Sequence, residues 1–149
     1  MKISECFENS VGAIEDFLLD CVCKKIEAVS ELPKMVEKIG YLDDKDSILS
    51  RTDECEILDT DSYGMKSHTF GNGKINIKFE VSFILQTFIE SEYIWRVQST
   101  ARLDIEIPDD SAYNWDDFNP NKINFQKYKD LVAIKNIEYF QTECDTLYN

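Results

Sequence analysis

The stretch KINIKFEVSFILQTFIESEYIWRVQSTARLDIEI, residues 74 to 107, decides the fold. Its odd positions from 75 to 89 read Ile, Ile, Phe, Val, Phe, Leu, Thr and Ile, while the even ones carry Lys74, Asn76, Lys78, Glu80, Ser82 and Gln86. From 93 to 107 the odd positions read Tyr, Trp, Val, Ser, Ala, Leu, Ile and Ile. Successive side chains of a strand leave on opposite faces, so each half predicts a long strand with one apolar face. Glu90-Ser91-Glu92 between them reads as a three-residue hairpin loop. Placing Ile89 opposite Tyr93 sets the register, because a slip of one residue would turn one apolar face outward. On the outer face Lys78 then lies opposite Asp104, Glu80 opposite Arg102, and Ser82 opposite Thr100, two of them opposite-charge pairs.

Upstream, Glu54 to Phe70 reads as a further strand that enters the hairpin through the turn Gly71-Asn72-Gly73, with Gly64 marking a bulge or break. Downstream, Pro108 to Asn121 is rich in Asp, Asn and Pro and reads as a loop. Leu131 to Gln141 predicts a last strand with a bulge near Lys135-Asn136, with a helix from Phe125 to Tyr139 as the rival reading.

The N-terminal region follows another period. Phe7, Val11, Ile14, Leu18, Cys21, Val22, Ile26 and Val29 recur by threes and fours, which predicts an amphipathic helix started at Ser4 or at Asn9-Ser10. Pro33 interrupts it. Ser30 or Glu31 is expected to cap a short second helix carrying Leu32, Met35, Val36 and Ile39, with Gly40 as its stop. The expected class is therefore α+β: a single domain over residues 1 to 149, in which a long helix and a short one cover one face of a twisted antiparallel sheet of about four strands.

The 149 residues include 43% hydrophobic and 12% aromatic side chains, enough for a packed core without disulfide staples. Against that core stand 29 acidic and 16 basic residues, a net charge of −13. Such a balance disfavours direct nucleic-acid binding and anionic membranes, and it leaves a basic protein as the natural partner. Neither a basic leader followed by an apolar run nor an apolar stretch of about 18 residues is present, and the five cysteines form an odd, scattered set. A soluble protein of the reducing cytoplasm is expected.

The charge is local. Asp43, Asp44, Asp46, Asp53, Glu54, Glu56, Asp59 and Asp61 face only Lys45 and Arg51 between residues 43 and 61. Asp104, Glu106, Asp109, Asp110, Asp116 and Asp117 face no base between 104 and 117. Solvated loops account for many such runs. The functional alternative is a surface that docks a basic partner and is steered to it by the field. The strand register puts the first segment at the Glu90 end of the hairpin and the second at its other end, giving two acidic poles.

Motifs for chemistry are sparse. His68 is the sole histidine, beside a turn, so histidine-based catalysis rests on that residue alone. Cys21 and Cys23 are two apart on a helix and point to different faces, which is wrong for chelating one ion. Asp59, Asp61 and Gly64 fit the first, third and sixth positions of a calcium loop, but Tyr63 holds the fifth and Phe70 the twelfth. No metal, no cofactor and no catalytic residue is assigned.

Ile84 and Phe88 fall on the otherwise polar face of their strand. Either another element covers them, or they form a patch for a partner or for a second copy of the chain. Leu85, Tyr93 and Trp95 lie on the inner face and are expected in the core or, alternatively, around an apolar ligand pocket. The leading expectation is a non-catalytic protein-binding module of the inhibitor, immunity-protein or antitoxin kind. A small-molecule-binding domain is second and an enzyme third.

Overall fold

A computed structural model describes residues 11 to 109 and 129 to 146. Helix α1 (Val11–Ile26) is followed by a 3-10 turn (Val29–Glu31), helix α2 (Leu32–Val36) and helix α3 (Lys45–Arg51). Strands β1 (Glu54–Gly71), β2 (Lys74–Ile89), β3 (Glu92–Pro108) and β4 (Ala133–Thr146) form one antiparallel sheet in the order β1-β2-β3-β4. The α+β class is as expected. Ser4, the Asn9-Ser10 start and most of the loop from 108 to 121 lie outside the described residues.

Two tight turns hold the sheet together. Asn72 (φ 55°) and Gly73 (φ 72°) join β1 to β2, and the left-handed region they occupy is what a two-residue hairpin turn demands. Glu90 (φ 51°) and Ser91 (φ 69°) adopt the same region between β2 and β3. The second turn thus has two residues where three were expected, and neither is a glycine or asparagine that would have signalled it.

The chain divides into two units, and α1 and all four strands contribute a segment to each. One unit comprises Met1–Val22, Tyr63–Glu80 and Arg102–Ile137. Its interior includes Ile14, Phe17, Leu18 and Val22 from α1 and Ile75, Ile77, Phe79, Leu103, Ile105 and Ile107 from the hairpin, all buried. On the outer face the expected register is met: Lys78 Nζ lies 3.1 Å from Asp104 Oδ1 and Arg102 Nε 2.9 Å from Glu80 Oε2. Lys74 adds a third pair with Glu106 at 3.0 Å.

In the same unit β1 runs unbroken through Gly64, so of the expected bulge or break the break does not occur. Gly64 has another use. The Glu15 carboxylate of α1 accepts the Met65 backbone N–H at 2.7 Å, and a Cβ on residue 64 would lie 2.7 Å from that same oxygen. Beside it the Tyr63 hydroxyl donates to Asp16 at 2.7 Å. Because β1 is an edge strand, such contacts blunt a row of backbone groups that would otherwise invite another strand.

The other unit comprises Cys23–Ser62, Val81–Ala101 and Glu138–Asn149. Ser82 and Thr100 hydrogen-bond at 2.9 Å, so the register holds here too. It changes toward the turn. Ile94 and Trp95 are both buried, so β3 carries a one-residue slip in its alternation, as a bulge produces. Tyr93 is consequently 53% exposed and does not line the interior; its ring lies 4.7 Å from that of Phe88. β4 extends to Thr146 and excludes the helical reading from Ala133 onward. Lys135 and Asn136 are both exposed, and the left-handed residue of this strand is Gln141 (φ 53°).

Leu32, Met35, Val36 and Ile39 are buried as predicted, with Pro33 in the first turn of α2. The helix ends at Val36, ahead of Gly40, and neither Ser30 nor Glu31 caps it through a side chain. Glu31 is instead 1% exposed. It accepts the Lys34 ammonium and the Tyr139 hydroxyl, both at 3.0 Å, with Lys25 at 3.6 Å. Burial works to raise the Glu31 carboxyl. The Lys34 and Tyr139 hydrogen bonds and the two nearby ammonium groups outweigh it and hold the carboxyl below its ordinary value.

Candidate functional site

The unpredicted element is α3. Asp44, Ser47, Ile48 and Arg51 are spaced as one helical face, and that face forms one wall of a cleft of about 480 Å³. Ile89, Glu90, Glu92 and Ile94 from the hairpin tip line the same cleft, and Tyr41, Asp43 and Thr146 complete the lining. Ile89 and Ile94 are buried, whereas Asp43, Asp44, Glu90 and Glu92 are exposed. An aliphatic floor thus meets an acidic rim.

Several local contacts hold this geometry. Thr52 closes α3, its hydroxyl donating to the Ile48 carbonyl at 2.7 Å and its N–H to the same oxygen at 2.9 Å. Asp53 ties the next residue to the hairpin: its N–H donates to Phe88 O at 3.1 Å and its carboxylate accepts the Glu90 N–H at 3.0 Å. Lys45 turns its ammonium to the carbonyls of Glu37 and Ile39. Tyr41 is anchored at its far end, where the hydroxyl accepts the Cys144 N–H at 3.1 Å and donates to Cys144 O at 3.3 Å. Tyr41 as a whole nonetheless stays 66% exposed.

The acids singled out from sequence separate into distinct roles. Asp43 and Asp44 are at the cleft, and Asp53 braces the hairpin tip. Asp46, Glu54, Glu56 and Asp59 are exposed, and none has an ion-pair partner within 4.0 Å among the described residues. Asp104 and Glu106, in the other unit, are neutralised by Lys78 and Lys74. Asp109 donates its N–H to Gly73 O, while Asp110, Asp116 and Asp117 lie outside the described residues. The second acidic segment is therefore less bare than its sequence suggests.

Asp61 and Ile84 both line a second, polar cavity of about 570 Å³ with Gln98, Gln141 and Glu143. Hydroxyls along it satisfy one another: Ser82 with Thr100, and Ser99 with Thr142 at 2.7 Å. Phe88 is 8% exposed and stacked by Tyr93, so Ile84 and Phe88 do not form the open apolar patch proposed for a partner or second subunit. Leu85 and Trp95 are both 0% exposed and belong to the core, whereas Tyr93 lies outside it. Sequence reading missed Tyr41, Ile48, Glu90, Glu92 and Ile94 as companions of Asp43 and Asp44. No local signal joins them, because the cleft draws on three separate segments.

Other reactive groups are quiet. Burial, with Glu27 and Glu54 nearby, pushes the Cys55 thiol up to about 11, and burial with Asp145 pushes Cys144 up to about 12. Both remain thiols at neutral pH, without the low pKa of a nucleophile. His68 is exposed and meets Phe70 edge-on at 5.3 Å. Among the described residues no three His, Cys, Asp or Glu side chains gather as a metal site, and no helix is long and apolar enough to cross a membrane. Compared with protein-family models, with curated proteins and with solved structures, the chain has no significant match.

Proposed function

We propose that this protein is a non-catalytic, acidic protein-binding module that docks a basic protein at the hairpin tip, as an inhibitor, immunity protein or antitoxin does. One observation carries the reading: the exposed acids Asp43, Asp44, Glu90 and Glu92, which have no ion-pair partner within 4.0 Å among the described residues, line one cleft with the aliphatic Ile48, Ile89 and Ile94. Interfaces that combine a desolvated apolar centre with a charged rim obtain affinity from the first and partner choice from the second. Reduced, buried thiols at Cys55 and Cys144 suit a partner met in the cytoplasm.

The test is affinity capture at low salt, identification of the captured protein, and titration of the purified pair. A basic partner whose affinity falls steeply with salt, and falls again in the D43N/D44N variant, supports the reading. Salt-indifferent binding, or full binding by that variant, overturns it.

A further inference from the structure

We infer that the hairpin-tip cleft is a receptor for a single arginine side chain, presented by the basic partner of the preceding reading, on which this inference rests. Three features of the cleft suit a guanidinium on an aliphatic stem. Ile48, Ile89 and Ile94 offer an apolar wall for the methylenes. Four carboxylates against the one guanidinium of Arg51 leave the rim with excess negative charge for the head group. Tyr41, a 66% exposed residue, supplies an aromatic ring that is held in place, because both hydrogen bonds of its hydroxyl go to the backbone of Cys144. A ring immobilised in advance loses little entropy on binding.

The ring also discriminates between the two basic side chains. Guanidinium is planar, weakly hydrated and stacks on aromatic faces, and its five donors can serve more than one carboxylate at once. Lysine brings a compact, strongly hydrated charge that gains less from the tyrosine. The cleft therefore favours arginine, and it reads side-chain shape as well as charge.

The full chain is titrated at low salt with acetyl-Gly-Ala-Arg-Ala-Gly-amide and with forms in which arginine is replaced by lysine or citrulline, followed by amide chemical shifts. Arginine peptide is expected to give saturable shifts at Tyr41, Ile48, Ile89 and Ile94. Citrulline keeps the shape without the charge and binds at least about tenfold more weakly. Lysine falls between. Tyr41→Leu removes the arginine-over-lysine preference, and E90Q/E92Q, which alters only exposed residues at the hairpin tip, weakens all charged peptides while leaving the fold intact.

Shifts that do not saturate, shifts centred on Glu54 to Asp59, or equal binding of arginine and citrulline overturn the inference, as does equal binding of arginine and lysine. The two readings fail separately. If the captured partner still depends on Asp43 and Asp44 while the peptide does not seat, the arginine receptor falls and the docking function stands. If the peptide seats and no basic partner binds, the reverse holds.

Discussion

Glu31 and the acids of the hairpin-tip cleft carry the same functional group in opposite surroundings. Glu31 is buried, accepts a tyrosine hydroxyl and an ammonium group, and has a second ammonium at 3.6 Å. Asp43, Asp44, Glu90 and Glu92 are exposed and have no ion-pair partner among the described residues. A desolvated carboxylate is stable only when its lone pairs are occupied, so the surroundings of Glu31 are dictated by folding. Exposed carboxylates contribute little to folding and are left available for something else. In one unit, acidity thus divides into a structural acid and a candidate docking rim.

The contrast is broken most forcefully at Glu31. Glu31→Ala orphans the Tyr139 hydroxyl and leaves two lysines without a counter-charge, at an expected cost of about 2 kcal/mol in urea unfolding. The figure sits low in the usual range because Lys25 and Lys34 remain partly solvated. A pH series refines it. The Glu31 carboxyl is held below its ordinary value in the folded chain, so its stabilising contribution is complete above the unfolded pKa and is lost as pH falls through the folded one. Glu31→Gln should remove that part of the acid-side decline. Equal acid-side slopes in wild type and variant would break the assignment.

Glu15 is an intermediate case: a half-buried helix carboxylate on one edge-strand N–H. Gly64→Ala would drive a methyl group against its oxygen, and since that oxygen ends a flexible side chain, the carboxylate should move away and lose the Met65 bond. A loss of about 1 kcal/mol is expected, typical of one charge-assisted hydrogen bond. In a Glu15→Ala background the same substitution should cost almost nothing. A full cost in both backgrounds would show that strand conformation, not the carboxylate, requires the glycine.

Cross-strand pairs come next. A double-mutant cycle on Lys78 and Asp104 should return a coupling of roughly 0.5 kcal/mol, because both side chains are about half exposed or more and screened. That pair was legible in the sequence, since an unbroken period of two and opposite charges at matching positions leave one register. The slip at Ile94-Trp95 was not. Tyr93, Ile94 and Trp95 are consecutive large residues, each able to face inward, and Glu90-Ser91-Glu92 marks a loop without distinguishing a two-residue turn from a three-residue one. Helix α3 escaped notice because a seven-residue helix with only Ile48 and Leu49 as aliphatic members shows too little periodicity. Without the helix and the slip, Ile48, Ile94 and Tyr41 have no reason to meet, so the acids were visible while the cleft was not.

The smallest expected stability effect is at the rim, and its sign separates the two classes of acid. Asp43, Asp44, Glu90 and Glu92 share one cleft and repel one another, and among the described residues Arg51 is the only basic one that lines it. Neutralising two of them in D43N/D44N should leave stability unchanged or raise it by a few tenths of a kcal/mol at low salt. Added salt screens the repulsion and should erase even that gain. Urea unfolding of wild type and variant at low and high ionic strength measures both. A loss of 1 kcal/mol or more would mean that these acids brace α3 against the hairpin, as Asp53 does, and the docking rim would lose its basis. A neutral or favourable result, joined to loss of the basic partner, would mean that the fold tolerates this charge for the sake of binding.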